Sequence, residues 1–262
     1  MNDTSNYDIL VVGKPGKDGD PSDPPKAESG TSPIPNPDPK LNGNYTKPSW
    51  FGESCAKKCV CAKNGRHGGK GDNATLPAKE GGVGGSAPTF ALIIARLASD
   101  FSVYSEGGIG GKGGKGQDGG DGGDGQNAGK NDENCVGVTY FSCCKPAVGG
   151  VGGDAGNGAN AGEGGPGGDG CDVYIYYTQR QTPTVAGVVF SLQATSYYGV
   201  GGLTGDVGKK GTPGKGGKNE QVDGLTIPPN ADPGAPGRDG LPNSGGEIGN
   251  SGHVYTRCLY TD

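Results

Sequence analysis

Apolar side chains along this chain come in short bursts, separated by long polar and glycine-rich stretches. Alternating β-branched and aromatic residues mark Tyr7 to Val12, Phe90 to Leu97 with Phe101 to Tyr104, Val136 to Phe141, Asp172 to Thr178, Val185 to Thr195, and His253 to Tyr260. A period of two over such lengths predicts β-strands. The longest burst, near Phe90 to Leu97, is far short of the roughly 20 apolar residues that cross a bilayer. Several bursts run directly into or out of glycine stretches, as in Val11-Val12-Gly13 and Gly252-His253-Val254. Extended strand is therefore expected to continue into the glycine segments without a turn.

Those segments have a period of their own. Glycine occupies every third position from Gly107 to Gly125, with a second frame beside it at Gly108, Gly111, Gly114, Gly120 and Gly123. The same GGX register returns over 149–170, where Ala159 substitutes once, and glycine recurs in threes over 199–217 and 234–252. Shorter traces lie at Gly13, Gly16 and Gly19, at Gly65, Gly68 and Gly71, and at Gly81 and Gly84. Three residues per turn matches neither helix nor strand, but it is the geometry of polyproline II, which has no internal hydrogen bonds. Two bare positions per turn let neighbouring backbones approach until N–H meets C=O between runs, and the third position must point outward. Lys112, Lys115, Asp118, Asp121 and Asp124 fill that outward row. Collagen is the rival for this period, but a triple helix needs one glycine per triplet, and the doubled glycine displaces the imino acids that stiffen it.

Composition explains why such an architecture is needed. Of 262 residues, 58 are Gly and 20 are Pro, and only 30% are hydrophobic, so side-chain burial cannot order a chain of this length. The net charge of -5 is spread through mixed-sign segments, which excludes a basic stripe for nucleic acid. The eight cysteines, Cys55, Cys59, Cys61, Cys135, Cys143, Cys144, Cys171 and Cys258, are expected to be disulfides of an oxidised, secreted protein. Vicinal Cys143 and Cys144 are expected to reach different partners. Sequons at Asn2, Asn44 and Asn73 are candidate glycosylation sites. Met1 to Asn6 lacks the apolar stretch of a signal peptide, as expected of a mature form with an added Met or of another export route.

Signatures of catalysis are absent. No GxxxxGK[ST], HExxH or GxSxG match occurs, and GxGxxG matches follow arithmetically from the glycine density. With only His67 and His253 as imidazoles, no enzyme activity, cofactor or metal is expected. Cys55, Cys59, Cys61 and His67 form the one constellation with metal-ligand chemistry, but its CxxxCxC spacing lacks a CxxC knuckle and disulfides are preferred. Gly164 to Asp172 fits only part of a calcium-binding nonapeptide.

The GGX runs, with cysteines between them, resemble the polyglycine-II bundle proteins, namely snow-flea-type antifreeze proteins and the glycine-rich tip adhesins of some tailed phages. The resemblance covers about half the chain. It implies packed parallel and antiparallel helices and no catalytic centre, but fold does not fix activity. The X positions here carry Lys, Asp, Asn and Glu, where ice-binding members carry small residues. The loop around Trp50 and Phe51 is the one bulky cluster that could correspond to an adhesin's receptor loops. The expected fold is thus irregular and all-β: a disulfide-stapled bundle of polyglycine II helices with short antiparallel strands and almost no α-helix. It forms one composite domain, with a Pro-rich loop or arm bearing the cysteine cluster at 20–62 and the GGX bundle at 63–262. The expected function is that of an extracellular structural protein, a subunit of a fibre, coat or matrix that self-associates by backbone hydrogen bonding. Its assembly strands would hold Tyr7, Ile9, Val11, Val254, Tyr255 and Leu259. Binding of ice or of a surface receptor is the alternative.

Overall fold

The computed structural model describes residues 7–20, 23–47, 59–97, 99–136, 143–180 and 191–259. The described residues form eight strands: β1 (Ile9–Val12), β2 (Asn44–Tyr45), β3 (Cys59–Val60), β4 (Phe90–Leu97), β5 (Phe101–Glu106), β6 (Val173–Arg180), β7 (Leu192–Tyr197) and β8 (Val254–Cys258). The only helix among the described residues is a 3-10 turn at Pro39–Leu41. The expected strand at Val136 to Phe141 falls almost wholly outside the described residues.

Between the strands run six extended glycine segments, at 13–20 with 23–31, 63–87, 107–128, 147–170, 199–218 and 231–252. None is regular helix or strand, yet each is bonded to its neighbours at every third residue. The N–H groups of Gly107, Gly110, Gly113 and Gly116 in the third run donate to the carbonyls of Tyr197, Val200, Leu203 and Asp206 in or entering the fifth, at 2.9–3.0 Å. Those of Gly13, Gly16 and Gly19 donate to Glu106, Ile109 and Lys112. Both partners ascend together, so the first, third and fifth runs form one parallel layer. The second, fourth and sixth form another, with Gly65, Gly68 and Gly71 donating to Val148, Val151 and Asp154, and Gly152 and Gly158 to Asp232 and Arg238. Across the layers the numbers run in opposite senses: Gly162, Gly165 and Gly168 donate to Gly114, Gly111 and Gly108.

Glycine is required here for close approach, not for an unusual dihedral. Gly224 is the only described residue with positive φ. A Cβ on Gly153 would lie 1.8 Å from the carbonyl oxygen of Gly69, and one on Gly122 would lie 1.9 Å from that of Gly153. Contacts that short cannot exist, so any larger residue would drive the runs apart.

The alternating layers decide where the strands fall. β1, β5 and β7 lead into ascending runs, while β4, β6 and β8 leave descending ones, so all six gather at one end as two three-stranded sheets, β1-β5-β7 and β4-β6-β8. Both sheets are parallel, which corrects the expectation of antiparallel strands. The reason is connectivity: β4 and β5 are adjacent in sequence but enter opposite layers, and strands of one sheet are separated by a full outward and return pass. Among the described strands, the small β2–β3 pair alone is antiparallel. The alternation turns Val103, Val173 and Ile175 inward, where they are fully buried with Ala87 and Cys171 between the sheets, flanked by Ile9, Val11, Phe90, Ile94, Phe101, Leu192 and Ala194. This is the apolar core, and it occupies one end of the molecule.

Part of the expected Pro-rich segment at 20–62, the described residues 23–31, lies against the glycine runs. Ala27 and Gly30 donate to Asp118 and Asp121 of the third run, and Gly69 donates to Thr31. The bonding of the first run thus resumes at Ala27 and reaches Thr31. The opposite end of the molecule carries the disulfides Cys59–Cys135 and Cys61–Cys144.

Candidate assembly edges

The outward residues do more than solvate the surface. An outward N–H cannot reach a neighbouring carbonyl, and side chains of the preceding run in the same layer accept it instead. Asp118, Asp121, Asp124 and Asn127 accept from the N–H groups of Lys209, Thr212, Lys215 and Lys218 at 2.7–2.9 Å. In the other layer Asp154, Asn157, Asn160, Asp169 and Asp172 accept from Ala235, Arg238, Leu241, Asn250 and His253. His67 accepts from Val151 through Nδ1 in the same way. The Lys26 ammonium, 2.7 Å away, and then the Thr212 N–H hold the Asp121 carboxyl below its ordinary range. The N–H of His253 does the same for exposed Asp172. Desolvation, followed by the charge of Asp172, raises the Tyr174 phenol.

Two glutamines occupy glycine positions in the third run. Gln117 sits where the first and second runs slip relative to their partners: the offset to the bonded residue drops from 93 to 91 along the first run and from 83 to 82 along the second. Its buried carboxamide replaces the missing backbone, with Oε1 accepting from Thr75 and Leu76 and Nε2 donating to Pro25. Gln126 does likewise between Arg66 and Pro35. At the disulfide end, buried Glu220 accepts from the Asn131 backbone and side chain and from Ala147, tying three connections together beside an open groove of about 1000 Å³. All its bonds are internal.

The expected cysteine chemistry is partly altered. Cys59, Cys61, Cys135 and Cys144 are paired as above and Cys143 is disulfide-bonded separately from Cys144. Cys171 is not: it is a buried free thiol, 3.0 Å from the Ser105 hydroxyl inside the sandwich. It lies just before β6, at the sheet end, whereas Cys59, Cys61, Cys135 and Cys144 lie at the opposite end. Cys55 lies outside the described residues, and Cys258 ends β8. With Cys59 and Cys61 in disulfides, the constellation around His67 offers no thiolate pair. Asn44 is exposed in β2, Asn73 uses Oδ1 to accept from Asn157, and Asn2 lies outside the described residues, as do Trp50 and Phe51.

The expected assembly residues come together at the sheet end. Ile9 and Val11 lie in β1 and Val254 and Tyr255 in β8, with Tyr7 and Leu259 beside them, and both strands are outermost in their sheets. Among the described residues nothing pairs with the outer edges of β1, β4, β7 or β8. The glycine runs end differently. The sixth run places Pro233, Pro236, Asp239 and Pro242 in the frame that is glycine or alanine in the fourth run and donates there to the next neighbour. Proline has no N–H to offer and its ring fills the approach. Where glycine does persist in that frame, at Gly245, an added Cβ would meet only one atom, at 3.3 Å. The bundle is therefore closed on this side, whereas the sheet edges are open.

No family model, curated protein or solved structure matches this chain.

Proposed function

We propose that this chain is a non-enzymatic extracellular structural protein, in which six polyglycine II helices form a stiff slab that joins its neighbours through backbone hydrogen bonds. The three-residue bonding period in two directions, with negative φ at nearly every described glycine, supports the helix assignment. The disulfides support an oxidising, secreted setting. The observation that carries the reading is the contrast between edges: the sixth glycine run ends the bundle in prolines, while the sheets end in strands that no described residue pairs on the outer side, a natural template for strand addition. Ice binding is less well supported, because many side chains on the outer faces are carboxylates and asparagines already engaged in accepting backbone N–H groups. Sedimentation velocity and negative-stain electron microscopy over a wide concentration range test the reading. Regular assemblies that grow with concentration are expected; isolated particles throughout would refute it.

A further inference from the structure

The molecule consists of three equivalent rungs. Each is a strand, an outward run, a return run and a strand: β1 to β4, β5 to β6, and β7 to β8. The first docks on the second as the second docks on the third, in parallel and with near-constant register. Ile9 pairs with Val103 and Phe101 with Leu192 in one sheet; Phe90 pairs with Val173 and Val173 with Val254 in the other. At the sheet end, the outer side of the third rung therefore repeats the side that the second presents to the third. The outer side of the first repeats what the second presents to the first.

Resting on the structural reading above, we infer that the partner at these edges is a second copy of this chain, joined head to tail, with β7 and β8 of one molecule beside β1 and β4 of the next. The contact continues the internal stacking of rungs. It preserves strand polarity, and because it brings two different surfaces together it does not close on itself. Prolines in the sixth run confine it to the sheet end. Apolar side chains lie on both surfaces: Leu10 is 50% exposed and Ile93 71% on the first rung, and Tyr255 is 47% exposed on the third. The Tyr255 ring stacks on Tyr174 with centroids 4.9 Å apart, and its other face points along the ladder towards the incoming β4.

The backbone specifies the test. Phe90 and Leu259 donate across the ladder to Asp172 and Tyr177. By the alternation of a parallel sheet, Ile93 in β4 and Thr256 in β8 direct their N–H groups away from β6. Ile93→Pro and Thr256→Pro should each block one edge of one sheet without removing an internal bond. Each is expected to raise the midpoint concentration for assembly at least tenfold. An equimolar mixture should form dimers and stop there, since the intact edge of each variant fits only the other. Ile93→Lys and Thr256→Lys, which place a charge at the same edges, supply the same comparison should a proline variant fail to fold.

Assembly unchanged by both substitutions, or abolished by Thr256→Pro while insensitive to Ile93→Pro as a two-fold β8 contact would be, overturns the head-to-tail arrangement and leaves the structural reading intact. Wild-type protein that never assembles defeats both, and a foreign strand recovered stoichiometrically at β8 replaces the second copy.

Discussion

At Gly153 and Gly245 the same residue type answers to opposite surroundings. A methyl group at Gly153 would be driven into the Gly69 carbonyl, whereas at Gly245 it would meet a single atom, the Gly202 carbonyl oxygen, at 3.3 Å, where a shift of a few tenths of an ångström relieves it. Gly153→Ala is expected to destabilise the protein by about 3 kcal/mol or more, the upper range for overpacking. Gly245→Ala should lie within about 0.5 kcal/mol of wild type, as surface changes do. Thermal unfolding of the two variants compares them directly, and similar losses would contradict the close-packed frame. Much of this was legible in the sequence, because the triplet register names the positions that must stay bare. Gln117 and Gln126 were legible only as interruptions: a glutamine in a glycine frame signals a gap, but the slips in the first and second runs that create the gap require the partners to be aligned.

The elements are held by carboxylate and carboxamide rows as well as by backbone. Asp121 and Asp172 have lowered affinities for protons in the folded state. Their contribution is therefore fully present above the unfolded carboxyl value, about 3.8, and is lost as pH falls through the lower folded values. The melting temperature is expected to be flat from about pH 5 to 8 and to decline gradually below about pH 4. Asp121→Asn, which keeps an acceptor for Thr212 but loses the charge facing Lys26, should flatten the acid limb without abolishing folding. An unchanged acid limb in this variant would assign the effect to other groups. The outward direction of this row followed from the period of three. Its role in accepting N–H groups did not, since a side chain some 90 residues ahead of its donor has no local signature. Strand positions were readable from alternation, but pairing direction was not, because parallel order arises from the alternation of layers and not from any strand's own residues.

At the scale of the whole molecule, stability comes from backbone contact over most of the length and from apolar burial at one end only. Heat-capacity change on unfolding follows exposed apolar area. Scanning calorimetry should therefore give an increment well below the roughly 12–15 cal/mol/K per residue of globular domains. A value in that range would mean a larger apolar interior than Val103, Val173, Ile175 and their neighbours supply. Composition announced this deficit, but not that the remaining apolar residues would be gathered into one sandwich, which depends on six strands meeting from two layers.

The spacing between bonded partners also bears on how the chain reaches this state. Within each layer, each of the first four runs donates to residues about 80 to 93 positions further along, and glycine segments have no local structure to form beforehand. Loop-closure entropy must therefore be met before any rung is rewarded, which places the protein among slow folders dominated by distant contacts. During synthesis the first outward segment must wait, without its layer partner, until the third has emerged. The disulfides between Cys59 and Cys135 and between Cys61 and Cys144 join the ends of the first two rungs, where an early covalent link would shorten that wait.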